Sequence, residues 1–309
     1  MNTEKGFRKI SAEDLRKKLE AGGHVILIDT LPNDHFQKMH LPGAKNACVF
    51  EVVFLENIKK LIPETDREIV LYGSSEKTLD AVTAAEKLVR AGYVNVTALE
   101  GGLRKWFDLG YGLEGDQPEP AETSEVDTAL LDHTYAVDIE QSVIAWTGRN
   151  SNTTHYGTVQ FSEGRIIVKN GQITGALAID MASIRNINLE GDPLQPVLIQ
   201  HLMSDDFFFT KLFPRAVFTL RSARHIDGAT QSEPNFDVRG VLQLRGIKKN
   251  LSFVANASQE PAGEVKIESH FDMDRTQWGI IYGSTRFFEN LGMHLVFDHI
   301  SIQLRLLVR

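Results

Sequence analysis

The sequence predicts two domains of different class: an α/β domain with a mostly parallel sheet over residues 1–112 and an all-β antiparallel barrel over residues 131–309. Three observations carry this. Strand-like and helix-like runs alternate through the first third of the chain, the pattern of a small parallel sheet. Beyond residue 130 the apolar period becomes two, the period of strands with one wet face. Between them "LEGDQPEPAETSEVDTAL", residues 113–130, holds six acids and no base, with Pro118 and Pro120, and reads as a linker.

In the first domain Ser11 is placed to cap a helix, with Asp14 at the third position and Leu15 and Leu19 one turn apart; Gly22-Gly23 stops it. "HVILID" then reads as a strand, followed by a loop with Pro32, Pro42 and Gly43. Ile69-Val70-Leu71-Tyr72 is a continuous apolar run of the kind a parallel sheet buries on both faces. A helix is expected over Thr78–Ala91, closed by Gly92, and "NVTAL" gives the next strand before Gly101-Gly102.

In the second domain Phe236, Val238, Leu242 and Leu244 share one face of "NFDVRGVLQLRG", and "AVFTLR" sets Ala216, Phe218 and Leu220 against Val217, Thr219 and Arg221. Ile300, Ile302, Leu304 and Leu306 do the same near the end. The turn signals "KNGQ", "HIDGA" and "EPAGE" separate such strands, and a sheet this long closes to bury its apolar side and remove its edges.

Composition narrows function. Residues 1–112 carry 16 basic and 16 acidic side chains and residues 131–309 carry 17 and 19, so six of the eight formal negative charges sit in the linker. No basic stripe exists to track phosphates, which argues against nucleic acid as a partner. The single cysteine, Cys48, excludes an internal disulfide and a thiolate metal cluster, and the histidines show no ligand spacing, so neither a metal nor a cofactor is expected. No apolar run approaches the roughly 18 residues of a membrane span, and the expected location is cytoplasmic. A homodimer is left open.

The loop Gly73, Ser74, Ser75, Glu76, Lys77 and Thr78 leaves the carboxyl end of a buried strand, where backbone N–H groups favour an anion. A serine nucleophile there would need a positioned base, and turn formation explains Ser74 and Ser75 better. In "SDDFFF" Ser204 is expected to cap a helix start whose dipole favours Asp205 and Asp206.

Two resemblances sharpen these expectations. "LIDTLPNDHFQKMHLPGAKNA" with "NVTALEGGLRKW" resembles the rhodanese domain through Asp29, His40, Pro42, Gly43, Ala44, Asn46, Leu99–Gly102 and Trp106. The position of that family's persulfide-carrying cysteine falls at Gly73, and positions where it has arginine fall at Thr78 and Leu31. Sulfur transfer needs a thiolate and donors to stabilise it, so the resemblance implies a rhodanese-like fold that serves as an anion-binding or interaction module. The alternative is a sulfurtransferase-like or phosphate-handling enzyme that recruits Cys48 or a serine.

"YAVDIEQSVIAWTGRN", "GQITGALAIDMASI", "HLMSDDFFFTKLFPRAVF", "VRGVLQLRGIKKNLSF" and "DRTQWGIIYGSTRFF" resemble the YceI-like family of lipocalin-like barrels, which implies binding of a polyisoprenoid or related amphiphile such as a quinone or fatty acid. Inward apolar positions would then line a cavity: Phe161, Leu177, Ile179, Phe218, Leu220 and Val238, with Leu242, Phe253, Ile267, Trp278 and Ile302. Arg245, Lys248 and Lys249, around Gly246, are the candidates to meet a charged head group.

Overall fold

The computed structural model describes residues 6–117, 130–230, 232–260 and 263–309; residues 118–129, most of the acidic segment, lie outside the described residues. The chain divides into two compact units, Met1–Val126 and Asp127–Arg309.

The first unit runs β1 (Arg8–Ile10), α1 (Ala12–Glu20), β2 (Ile26–Asp29), α2 (Asn33–Lys38), β3 (Lys45–Asn46), α3 (Phe54–Leu61), β4 (Ile69–Tyr72), α4 (Asp80–Arg90), β5 (Val96–Leu99) and α5 (Gly102–Asp108). Ser11 caps α1 by accepting from the Asp14 N–H at 3.1 Å. The sheet order is β1-β5-β4-β2-β3 with every pairing parallel. β4, with every residue buried, lies at its centre, which is why its sequence is apolar without alternation.

Two local differences from expectation have physical causes. α4 starts at Asp80, not at Thr78, because the Thr78 hydroxyl donates to the Ser75 carbonyl at 3.1 Å and meets the Ser74 hydroxyl at 3.2 Å. That side-chain turn competes with a helical one. Residues 113–117, counted with the acidic linker, are held by the first domain: His40 and Glu114 exchange backbone hydrogen bonds of 2.8 and 2.9 Å, and Asp116 and Gln117 donate to the Gln37 and Lys38 carbonyls.

The second unit contains β6 (His133–Ala136), β7 (Val143–Arg149), β8 (Thr154–Lys169), β9 (Gln172–Asn186), α6 (Leu194–Met203), β10 (Arg215–His225), β11 (Phe236–Leu244), β12 (Ile247–Gln259), β13 (Val265–Asp274) and β14 (His299–Val308). Antiparallel pairing runs β8-β7-β14-β13-β12-β11-β10-β9, and β9 returns to β8, so eight strands close into a barrel. β6 extends the wall along the second half of β8. Two of its hairpins turn through paired left-handed residues, Asn170-Gly171 and Arg245-Gly246, whose twist matches that of the strands they join.

Within the ring of eight strands the shortest ladder is that of β12 with β13, which holds four pairs, from Gln259–Val265 to Asn256–Glu268. Just past its end the Ser269 hydroxyl donates to the Val254 carbonyl at 2.6 Å.

The expectation of a helix start at Ser204 is corrected. α6 ends at Met203, and the Ser204 hydroxyl donates to the His201 carbonyl at 2.8 Å, so Ser204 closes a helix. Asp205 and Asp206 therefore gain nothing from an N-terminal dipole; the Asp206 carboxylate instead meets the His201 ring at 3.1 Å.

Candidate functional site

Alternation around the closed barrel sends one apolar side chain in two to the interior, and they do not fill it completely. A cavity of about 130 Å³ lies in the middle of the barrel. Phe161 of β8, Leu177 and Ile179 of β9 and Phe218 of β10 line one arc of it, and Leu242, Phe253 and Ile302 line another. All its lining side chains are hydrophobic. A second apolar cavity of about 60 Å³ is lined by Leu220, Val238 and Ile267 and shares Leu177, Phe218, Phe253 and Leu304 with the first.

Trp278 lines neither. It is 1% exposed, in a short 3-10 turn (Arg275–Trp278), and its indole N–H donates to the Leu242 carbonyl at 2.9 Å. Its role is to tie that turn to β11.

On its other side the central cavity meets a third space of about 220 Å³ through the shared side chains of Trp146, Phe208 and Ile300. Here the lining changes character: Arg149, His155, His201, Arg275, Tyr282 and His294 contribute polar groups. His201 and Tyr282 meet edge-to-face at 4.6 Å, and Phe207 packs against both. Arg275, 2% exposed, donates to the carbonyls of Phe297, Ile280 and Val296 at 3.1, 2.7 and 2.9 Å. Burial lowers the pKa of its guanidinium, an effect that the Asp298 carboxylate at 3.8 Å opposes. Arg275 holds three loop carbonyls; Arg149 donates to the Ser301 hydroxyl at 2.9 Å, and the rings of His155, His201 and His294 meet Asn188, Asp206 and Tyr282 at 3.3, 3.1 and 3.2 Å, so the chain takes up part of the hydrogen-bonding capacity of each. None of Arg245, Lys248 and Lys249 lines these three spaces. The Arg245 guanidinium donates to the Gly279 carbonyl at 3.1 Å, while Lys248 and Lys249 are exposed.

In the first domain the loop after β4 is occupied by the chain itself. The Ser74 N–H and hydroxyl both donate to the Asp80 carboxylate, at 3.2 and 3.3 Å. The Ser75 and Lys77 N–H groups turn to Thr78 Oγ1 and Ser75 Oγ, at 3.5 and 3.3 Å, and Glu76, Lys77 and Thr78 are exposed. A Cβ at Gly73 would lie 2.5 Å from Asp80 Cβ and 2.6 Å from its Oδ2, inside van der Waals contact. The carboxylate thus stands where a side chain at 73 would go and takes the Ser74 donors, while the Ser75, Lys77 and Thr78 N–H groups are spent within the loop. Cys48 is buried.

Nearby, Asp29 is fully buried: its Oδ1 accepts the Leu31 N–H at 2.8 Å and its Oδ2 has no partner among the described residues. Burial raises its pKa to about 6, against the lowering effects of the Leu31 N–H and the Tyr72 hydroxyl.

Residues 135–308 match the YceI-like domain and residues 11–109 the Rhodanese-like domain. Among solved structures the chain is similar to BcnA of Burkholderia cenocepacia, 18% identical with a TM-score of 0.44 over 55% of this chain and 98% of that one. It is also similar to a polyisoprenoid binding domain of Saccharophagus degradans, 15% identical with a TM-score of 0.41 over 57% of this chain and 97% of that one. A curated relative, the adenylyltransferase and sulfurtransferase UBA4 of Candida albicans, is 32% identical over 103 residues, which are 32% of this chain and 23% of that protein. The chain therefore spans about a quarter of the length of the curated relative it matches.

The Asp29 environment predicts a pH dependence. Below the unfolded value of 3.8 both states carry the proton and the residue is neutral to stability; above about 6 the folded state must hold a buried carboxylate. Stability of the first domain should therefore fall as pH rises from about 4 to about 6. Asp29→Asn should gain about 2 kcal/mol on wild type across that window, read by urea unfolding at a series of pH values. A difference that stays flat from pH 4 to 7 would show that the carboxyl ionises freely.

Proposed function

The chain belongs to the YceI-like domain family, and from that premise we propose that it is a non-catalytic binding or carrier protein for an amphiphile, an isoprenoid, quinone or fatty acid held in the barrel. The observation that carries this reading is the junction at Trp146: a wholly apolar cavity on one side, a chamber with Arg149 and three histidines on the other. An aliphatic chain leaving water for the first contributes about 0.8 kcal/mol per methylene, while a polar head keeps hydrogen-bond partners in the second. The head group is met by this chamber in place of Arg245, Lys248 and Lys249. Native mass spectrometry of the purified chain should find a bound amphiphile; a protein that is always empty, and stays so after incubation with isoprenoid, quinone and fatty acid, would contradict the reading.

In the same proposal the first domain does not transfer sulfur and acts through its surface, in the cytoplasm. Its supports are glycine at position 73, the Asp80 carboxylate over it, and the burial of Cys48. Thiosulfate-to-cyanide sulfur transfer by the intact chain should stay at background. Gly73→Cys alone should leave it there, since the new thiol would displace Asp80 or be displaced by it. Turnover by the wild-type chain that disappears in Cys48→Ala would overturn this and favour the enzymatic alternative.

A further inference from the structure

The apolar interior is divided in two, and the division is made by two leucines and two aromatic rings, Leu177, Leu304, Phe218 and Phe253. The larger, central cavity adjoins the polar chamber through Trp146, Phe208 and Ile300; the smaller one lies beyond Phe218 and Phe253, which border both. At about 130 Å³ the first resembles apolar cavities of roughly 150 Å³ that hold a single benzene-sized guest. It therefore accepts only the first unit or two of a prenyl or acyl chain. A longer chain must enter the smaller space, and these four side chains stand in the way.

The two rings are not held alike. Phe218 sits in a strand laced on both sides, opposite Leu177 of β9 and Leu242 of β11. Its ring is seated over Gly240, where an added Cβ would come within 2.4 Å of Cζ. Phe253 is laced on one side only, opposite Val238 of β11. On its other side the ladder to β13 stops three residues further along, at Asn256–Glu268, and the Ser269 hydroxyl on the Val254 carbonyl is the link nearest to Phe253. What holds the Phe253 ring there is a stack on Phe271, with centroids 4.5 Å apart and planes within 9°, and a tilted contact with Phe218 at 5.7 Å. Phe218 is thus a fixed post, as are Leu177, laced to β8 and β10, and Leu304, laced to β7 and β13, and Phe253 is the side chain whose size decides whether the two cavities are one.

Resting on the reading of the barrel as an amphiphile carrier, we propose that Phe253 is the floor of the ligand site and sets the length of chain that the barrel admits. The ligand class follows: an amphiphile with a short prenyl or acyl chain whose head lies among Arg149, His155, His201 and His294. Removing the ring joins the cavities and extends the slot towards Val238, Leu220 and Ile267. The stack on Phe271 lends stability, but length selection is a separate property that a merely structural ring would not show.

The test is a chain-length series on the full chain. Dissociation constants for geraniol, farnesol and geranylgeraniol are measured by displacement of a fluorescent fatty acid, for wild type, Phe253→Ala and Phe253→Leu. Wild type should weaken along the series. Phe253→Ala should move the preference to the longer alcohols, changing the ratio of geranylgeraniol to geraniol affinity by about tenfold or more, with Phe253→Leu between. Should the alanine variant fail to fold by circular dichroism, the leucine variant carries the comparison. An unchanged ratio in a folded variant that still binds would overturn the assignment of Phe253 and leave the carrier reading standing. Wild type that binds none of the three alcohols and does not take up the fatty acid would remove the carrier reading, and this inference with it.

Discussion

Closure of the antiparallel sheet is the constraint on which the second domain depends. Once β9 returns to β8, every strand must give one face to an interior whose wall offers few backbone donors, because most are spent in the ladders. The interior can then hold only apolar side chains, and polar chemistry is driven to the ends of the barrel. The gradient across Trp146 follows from this: Phe161, Leu177 and Phe218 come from the middles of strands, while Arg149 ends β7 and His201 and His294 come from α6 and a short 3-10 turn (Gly292–His294). An amphiphile has the same gradient in one molecule.

The first domain obeys the opposite logic. Its parallel sheet buries both faces of β4, and the polar groups freed at the strand's end must be satisfied by the loop that follows. Asp80 takes the donors of Ser74 and fills the space above Gly73, while the Leu103 and Arg104 N–H groups take the Gly73 and Ser74 carbonyls. The same dry surroundings leave Asp29 half satisfied, with one oxygen on the Leu31 N–H and the other unpartnered among the described residues.

Much of this was legible in the residues, for local reasons. Alternation in β10, β11 and β14 gave their inner faces, and the Asn170-Gly171 turn and the Ser11 cap are decided within four residues of chain. What was not legible depended on partners distant in sequence or on a choice between two equal local options. A serine hydroxyl can cap a helix start or close a helix end, and only the packing of α6 decides for Ser204. The place of Asp80 over Gly73 depends on the path of six intervening residues. The polar chamber assembles β7, β8, α6 and the loops before β14, so no spacing announces it. Arg245 looked like a head-group ligand because its turn is basic, yet its guanidinium is drawn to the Gly279 carbonyl.

The central claim is that the barrel interior holds a ligand's chain and its polar end holds the head. A crystal structure of the full chain, purified without detergent and soaked with farnesol, tests it most directly. The account predicts continuous non-protein density that starts beside Arg149 and His201, passes Trp146 and ends against Phe253. Density confined to the outer surface, with an interior closed by its own side chains, would contradict it.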